Sequence, residues 1–186
     1  MFHRRALLAL LCAACTSHVW SAGPVLLDFE DAACPQAQAQ CDVGDAYLSK
    51  GFALRVAPNV DEPDAKGLVS VGKAWRYNLR GSQAMSLSSC GSIVTLMAND
   101  NSVFDAVAIG LAEMNGQGAA TVGFTATHED GSVATHMARL DGKTGWQRVA
   151  LPAAFKRLTA LSWQQGDCVS NPAHMFDQIE LVSHAP

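Results

Sequence analysis

The segment ATVGFTATHEDGSVATHMARL, residues 120–140, decides the fold class of this chain. On both sides of Asp130-Gly131 its apolar and polar residues alternate, which is the two-residue period of a half-buried β-strand. The Asp-Gly pair favours the positive φ angles of a tight hairpin turn. The segment therefore predicts an antiparallel hairpin whose strands, Ala120–His128 and Ser132–Leu140, are joined by a two-residue turn.

The same alternation recurs along the rest of the chain, with turn-forming residues between the apolar segments at a spacing typical of a sandwich. Nine further strands are predicted: Val25–Glu30, Gly51–Ala57, Trp75–Leu79, Ala84–Ser88, Ile93–Ala98, Ala106–Glu113, Trp146–Leu151, Leu158–Gln164 and Met175–Val182. Asp31–Tyr47 and Pro58–Lys66 lack the period and are predicted to be loops. No repeat or linker divides the chain, so we expect residues 23–186 to form one all-β domain, a two-sheet antiparallel β-sandwich of jelly-roll type.

Composition excludes several classes of protein. The chain has 186 residues, of which 49% are hydrophobic and 16% charged, and its formal net charge is −4. A disordered chain would carry fewer apolar and more charged residues. An acidic chain also disfavours nucleic acid and anionic membranes as partners, because both repel negative charge.

Residues 1–22 have the pattern of a secretory signal peptide. Arg4 and Arg5 precede an apolar run, Ala6–Ala14, and small and polar residues follow it. The run is too short to cross a bilayer, which takes roughly 20 residues. The pattern predicts a secreted or periplasmic protein without a transmembrane segment, whose mature net charge is −6. An alternative is that Cys15 ends a lipobox and becomes a lipidated first residue.

Four cysteines remain in the mature chain, at positions 34, 41, 90 and 168. An even number in an exported protein predicts two disulfides, and spacing alone allows three connectivities. The short loop between Cys34 and Cys41 favours that pair, which leaves Cys90 to pair with Cys168. No C-x-x-C spacing supports a zinc site instead.

Aromatic residues provide the candidate binding site. Trp75 and Tyr77 alternate to one face of a predicted strand, and Arg76 and Asn78 are beside them in sequence. Sugar rings stack on flat aromatic faces while neighbouring polar groups bind their hydroxyls. The sequence leaves open whether these two rings are buried or form such a platform. The other two tryptophans of the mature chain, Trp146 and Trp163, are expected in the core.

No catalytic motif is present, and we expect no enzyme activity. A glycoside hydrolase needs two carboxyl groups about 5 to 9 Å apart in a cleft. The available candidates are mostly at predicted turns, where Asp is favoured for its conformation: Glu113, Glu129, Asp130 and Asp141. His128 and His136 flank the hairpin and are expected to be neighbours on a solvated face.

Short motifs at both ends of the mature chain carry a resemblance. They are LDFED at 27–31, Tyr47, Gly51-Phe52, GWQRV at 145–149, LTALSW at 158–163 and HMFDQI at 174–179. Together they resemble secreted bacterial β-sandwich proteins of the galactose-binding-like jelly-roll class, which includes many carbohydrate-binding modules. Some members carry a C-terminal PEP-type sorting tail, and we expect none here because the sequence stops soon after the last predicted strand.

The resemblance also implies a structural calcium ion between the first and last strands. Its ligands would be Asp28, Glu30 and Asp177, because calcium binds six to eight oxygen atoms and carboxylates supply them. Phe29, between the first two, would face the core. Gln178 departs from the Asp or Asn that many relatives have after the last-strand Asp. The alternative is that these carboxylates only solvate a sheet face or cap loops.

These observations predict an exported, non-catalytic domain that binds carbohydrate or a cell-surface glycan. Two alternatives remain open at this point. One is a structural or protein-interaction protein of the envelope or matrix, and the other is a glycan-active hydrolase or lyase.

Overall fold

The computed structural model describes residues 23–57, 61, 67–89, 91–114, 119–164 and 173–184. The proposed signal peptide, Cys15, Cys90 and Cys168 lie outside these residues. The described chain is built almost entirely from antiparallel strands: β1 (Gly23–Leu27), β2 (Gln40–Gly44), β3 (Ala46–Ser49), β4 (Phe52–Ala57), β5 (Leu68–Val71), β6 (Ala84–Leu87), β7 (Ile93–Ala98), β8 (Phe104–Glu113), β9 (Thr121–His128), β10 (Val133–Arg139), β11 (Trp146–Ala150), β12 (Leu158–Gln164) and β13 (His174–Ser183).

The strands form a two-sheet antiparallel β-sandwich, as predicted. In the first sheet the order is β2-β5-β6-β13-β8-β11, and β1 pairs with the second half of β13, beyond the part that pairs with β6. The second sheet has the order β3-β4-β7-β12-β9-β10. A single pair, Phe104 with Leu158, joins the two ladders.

The inner faces of the two sheets share one apolar core. The ring of Phe176 on β13 lies 5.1 Å from that of Trp163 on β12, and the rings of Phe104 on β8 and Phe52 on β4 are 5.4 Å apart. All four side chains are almost completely buried. Trp163 is therefore a core residue, as expected, and aromatic contacts across the sandwich hold the sheets together.

The predicted hairpin is present, with one correction to its turn. β9 and β10 pair from Thr127 and Val133 to Thr121 and Arg139. The N–H of His128 donates to the carbonyl of Ser132, so three residues rather than two form the turn, and Gly131 has φ 81°. A type I turn followed by a left-handed glycine is the usual three-residue hairpin.

Several strand predictions were wrong. Trp75–Leu79 forms turns rather than a strand, while β2, β3 and β5 lie where no strand was predicted. β1 ends at Leu27, because Phe29 takes a left-handed conformation (φ 53°) and a short 3₁₀ helix follows at Glu30–Ala32. Phe29 is fully buried, as predicted, but Asp28 and Glu30 do not share the face of a strand. No described helix is long and apolar enough to span a membrane.

Candidate binding site on the outer face of the first sheet

The outer face of the first sheet carries a second, smaller apolar cluster. Its floor consists of the buried side chains Val71, Ala84, Ala112 and Met175, which come from β5, β6, β8 and β13. Trp75, Tyr77 and Trp146 pack on this floor and remain partly exposed, so the expectation that Trp146 is a core residue was wrong. We call these three residues the aromatic platform. Two of the four floor residues, Ala84 and Ala112, are small and leave room for large rings over the strand face.

Residues 72–83, the platform loop, hold two of these rings through successive turns. The N–H of Trp75 donates to the carbonyl of Gly72 over 2.9 Å, and the N–H of Asn78 donates to the carbonyl of Trp75 over 2.8 Å. These local bonds satisfy the backbone without a partner strand. The alternation that predicted a strand at Trp75–Leu79 therefore reflects a folded loop lying on the sheet.

Asn78 was predicted as a ligand-binding residue, but its side chain is turned inward and is almost completely buried. Its Nδ2 donates to the carbonyl of Ser82 over 2.8 Å, and its Oδ1 accepts from Nε1 of Trp146 over 3.2 Å. Asn78 thus joins the platform loop to β11. Nε1 of Trp75 is also buried, so both indole N–H groups point away from solvent and the exposed parts of these rings are carbon.

Two arginines lie over the rings. The guanidinium carbon of Arg76 is 4.6 Å from the ring centre of Tyr77, and that of Arg80 is 5.2 Å from the ring centre of Trp146. Cations over aromatic faces are attracted by the ring quadrupole. Nη2 of Arg80 also donates to Oε1 of Gln178 over 2.5 Å. Gly110 leaves the space for this arginine, because a Cβ there would lie 2.7 Å from Nη1 of Arg80.

Asp177 lies beside Arg80 and is fully buried. Its carboxylate accepts from Oγ of Ser82 over 2.8 Å and from the N–H of Gln178 over 2.7 Å, and Nε of Arg80 is 4.0 Å away. Burial raises the pKa of Asp177 to about 6, the negative charge of Glu30 adds to the rise, and the hydrogen bonds and Arg80 oppose it. Asp177 therefore anchors the end of the platform loop to β13.

The three predicted calcium ligands already have partners from the protein. Asp28 forms an ion pair with Lys50 over 3.0 Å, and Glu30 accepts the N–H of Gln83 over 2.9 Å. Among the described residues there is no group of three or more His, Cys, Asp or Glu side chains placed to hold a metal ion. In this structure the three carboxylates are bound to groups of the protein, and the calcium ion stays a prediction.

The aromatic platform continues into a shallow groove beside β1. The groove has a volume of about 520 Å³ and is lined by Pro24, Leu26, Val107, Gln178, Glu180 and Val182, among others. Arg148 forms two hydrogen bonds of 2.6 Å with Glu180 at its edge. Arg80, which lies over the ring of Trp146, donates a hydrogen bond to Gln178 in the lining of this groove, so the groove and the aromatic platform share a contact.

The disulfide between Cys34 and Cys41 is present, as predicted. Its loop supports the platform loop directly, since the carbonyls of Ala37 and Ala39 accept hydrogen bonds from the N–H groups of Ala74 and Gly72. Sequence reasoning missed this connection, because nothing in the spacing of the cysteines indicates what their loop contacts.

The carboxylates and histidines considered as catalytic candidates make contacts that stabilise the fold. Asp130 and Asp141 accept the N–H groups of the residues two positions later, as turn residues do. Glu113 is buried and accepts the N–H of Gly142 over 2.9 Å. His136 pairs in register with Phe124 rather than with His128, so the two hairpin histidines are not cross-strand neighbours.

Comparisons with known proteins give similarities of fold. No protein-family model matches this chain, and no curated protein matches it. A variant of CBM29-2, a family 29 carbohydrate binding module, is 10% identical with a TM-score of 0.48, and the match covers 88% of this chain and 87% of that one. A CBM29-2 variant complexed with cellulohexaose is 11% identical, with a TM-score of 0.46 and coverage of 88% and 92%. The CBM22-1 xylan-binding domain of Paenibacillus barcinonensis Xyn10C is 13% identical, with a TM-score of 0.46 and coverage of 90% and 99%.

Proposed function

We propose that this protein is an exported, non-catalytic domain that binds carbohydrate through the outer face of its first sheet. The observation that carries the proposal is the aromatic platform. Trp75, Tyr77 and Trp146 share one apolar floor and stay partly exposed, and the two indole N–H groups point inward. The carbon surface that remains suits the C–H face of a sugar ring.

Polar groups suited to sugar hydroxyls surround the rings. Arg76 is exposed beside Tyr77, and Gln178 and Glu180 line the groove that continues from the aromatic platform. Binding sites for small polar ligands combine an apolar surface with a few fixed polar groups in this way. A short oligosaccharide would lie with one ring on the aromatic platform and the next rings along the groove.

The rigid support of the aromatic platform favours binding over a role in packing alone. The platform loop is held from below by the small floor residues, at one end by the disulfide loop and at the other by Asp177. A surface that is already ordered loses little conformational entropy when a ligand binds.

The test is affinity gel electrophoresis of the mature protein through neutral and acidic polysaccharides, with Trp75→Ala and Tyr77→Ala as variants. We expect at least one polymer to retard the parent protein, and each variant to bind it about tenfold more weakly, since losing a central aromatic contact costs more than about 1 kcal/mol. Met137→Ala is the matched control, because Met137 is 65% exposed on β10 of the other sheet.

Two results would contradict the proposal. Retention by no polymer would leave an interaction protein of the envelope or matrix as the explanation, to be pursued by crosslinking. Retention that persists unchanged in Trp75→Ala and Tyr77→Ala would place the binding surface elsewhere.

A further inference from the structure

The platform loop concentrates positive charge in an acidic chain. Its segment KAWRYNLR, residues 73–80, contains Lys73, Arg76 and Arg80 and no Asp or Glu, although the chain as a whole has a net charge of −4. Two of these three cations lie over the rings of Tyr77 and Trp146. Positive charge and the aromatic platform therefore coincide on one surface.

Two other exposed arginines are held by carboxylates. Arg148 forms a two-bond ion pair with Glu180, and Arg157 forms one with Glu129 over 3.0 Å. Arg76 is exposed, and its guanidinium contacts rings rather than a carboxylate in the part of the chain that the structure describes. Its fork of N–H donors is thus free to bind an acceptor from outside.

We propose that the ligand is an acidic glycan, one whose sugar rings carry carboxylates; this proposal rests on the proposed function above. A uronate ring has an apolar C–H face that stacks on an aromatic side chain, and its planar carboxylate accepts two parallel bonds from a guanidinium. Tyr77 would supply the stacking surface and Arg76, held against it, the hydrogen bonds to the carboxylate. Arg80 and Lys73 add attraction along the same loop.

A polynucleotide fits this surface less well, although it is also anionic and stacks on aromatic rings. Binding a polynucleotide tightly takes several phosphate contacts along the strand. Here Glu180 lines the groove next to the aromatic platform, and the carboxylate of Asp177 lies under Arg80. The positive charge extends over little more than one or two sugar rings.

The experiment compares each polymer with its own methyl ester. Polygalacturonate, alginate and hyaluronan are tested beside their methyl-esterified forms, which keep the sugar rings but remove the negative charge. We expect one of the acids to retard the protein and its ester to do so at least tenfold less. Raising the salt concentration should weaken retention by the acid, because salt screens exposed charges.

Variants of Arg76 test whether the platform loop causes the preference for the acidic polymer. We expect Arg76→Gln to weaken binding to the acid about tenfold and Arg76→Lys to keep part of it, since lysine retains the charge but not the planar fork. Arg139→Gln is the matched control, because Arg139 is an exposed arginine on β10 of the other sheet.

The outcomes separate this proposal from the one on which it depends. Equal binding of acid and ester, or of neutral polymers alone, would leave carbohydrate binding intact and overturn the acidic ligand. Retention by none of the charged or neutral polymers would overturn both. Binding of single-stranded DNA that Arg76→Gln abolishes, with no polysaccharide bound, would identify nucleic acid as the partner and also overturn both.

Discussion

Gly110 lies on β8 directly beneath Arg80. A Cβ at this position would be 2.7 Å from Nη1 of Arg80 and 2.8 Å from the carbonyl oxygen of Asp177. The arginine could move aside, but the backbone of β13 could not. We therefore expect Gly110→Ala to destabilise the protein by roughly 1–3 kcal/mol, the usual cost of overpacking.

Gly123 on β9 is the matched control, since a Cβ there would meet only the flexible side chain of Met137, with Sδ at 3.2 Å. Urea denaturation of both variants measures the difference in the free energy of unfolding. If Gly110→Ala were as stable as Gly123→Ala, the close approach of β13 to Gly110 would be wrong.

At single positions, the sequence predicted which apolar side chains are buried better than it predicted which way a polar side chain faces. Phe29, Trp146 and Trp163 were expected in the core; Phe29 and Trp163 are fully buried, but Trp146 stays partly exposed on the outer face. Asn78 was expected to face a ligand but bonds to Trp146 and to the backbone of its own loop. Apolar side chains must leave water wherever they are, whereas a polar side chain can be satisfied by solvent or by the protein, and the sequence does not distinguish the two.

The Cys34–Cys41 loop is an element that connects stability with the candidate site. It closes only a short segment and supports the platform loop through two backbone hydrogen bonds. We expect the Cys34→Ser/Cys41→Ser double variant to lose about 2 kcal/mol in the free energy of unfolding, on the loop-entropy model for a ring of this size.

The same variant should also bind the glycan more weakly at a temperature where it is still folded, because the platform loop loses support. Circular dichroism confirms the fold, and affinity gel electrophoresis measures the binding. Full binding by a folded double variant would show that the platform loop is held independently of the disulfide loop.

Among the elements, the hairpin β9–β10 was predictable from its alternation and its Asp-Gly pair, and most other strands from apolar segments bounded by turn-forming residues. β2 lies in a segment without a period, and β3 and β5 were not recognised as strands. β2 and β5 are distant in sequence and pair with each other, whereas β3 pairs with the adjacent strand β4. Trp75–Leu79 alternates like a strand, but the local turn bonds of Trp75 and Asn78 determine its conformation.

In the molecule as a whole, two buried groups of the described chain have pKa values displaced in opposite ways. Burial lowers the pKa of His174, on β13, to about 4, and neither ring nitrogen has a hydrogen-bond partner among the residues that the structure describes. Burial raises the pKa of Asp177, three residues further along the same strand, to about 6. Neither position could be recognised from sequence, because the pKa of each depends on how the two sheets and the platform loop cover it.

The two groups act oppositely on stability between about pH 4 and 6. For His174 the unfolded chain takes up a proton near pH 6.5 and the native state only near pH 4, so its contribution is lost as the pH falls. For Asp177 the native state takes up a proton near pH 6 and the unfolded chain near pH 3.8, so stability rises as the pH falls. Each shift corresponds to roughly 3 kcal/mol, and the two largely cancel.

Single variants should therefore show a pH dependence of the free energy of unfolding that is cancelled in the parent protein. Between pH 6 and 4 we expect the free energy of unfolding of His174→Gln to rise by about 2 kcal/mol, and that of Asp177→Asn to fall by a similar amount. Urea denaturation at fixed pH values measures both, and the double variant, with neither group, should return to a nearly flat profile. Parallel profiles for the parent and both single variants would contradict the displaced pKa values of His174 and Asp177.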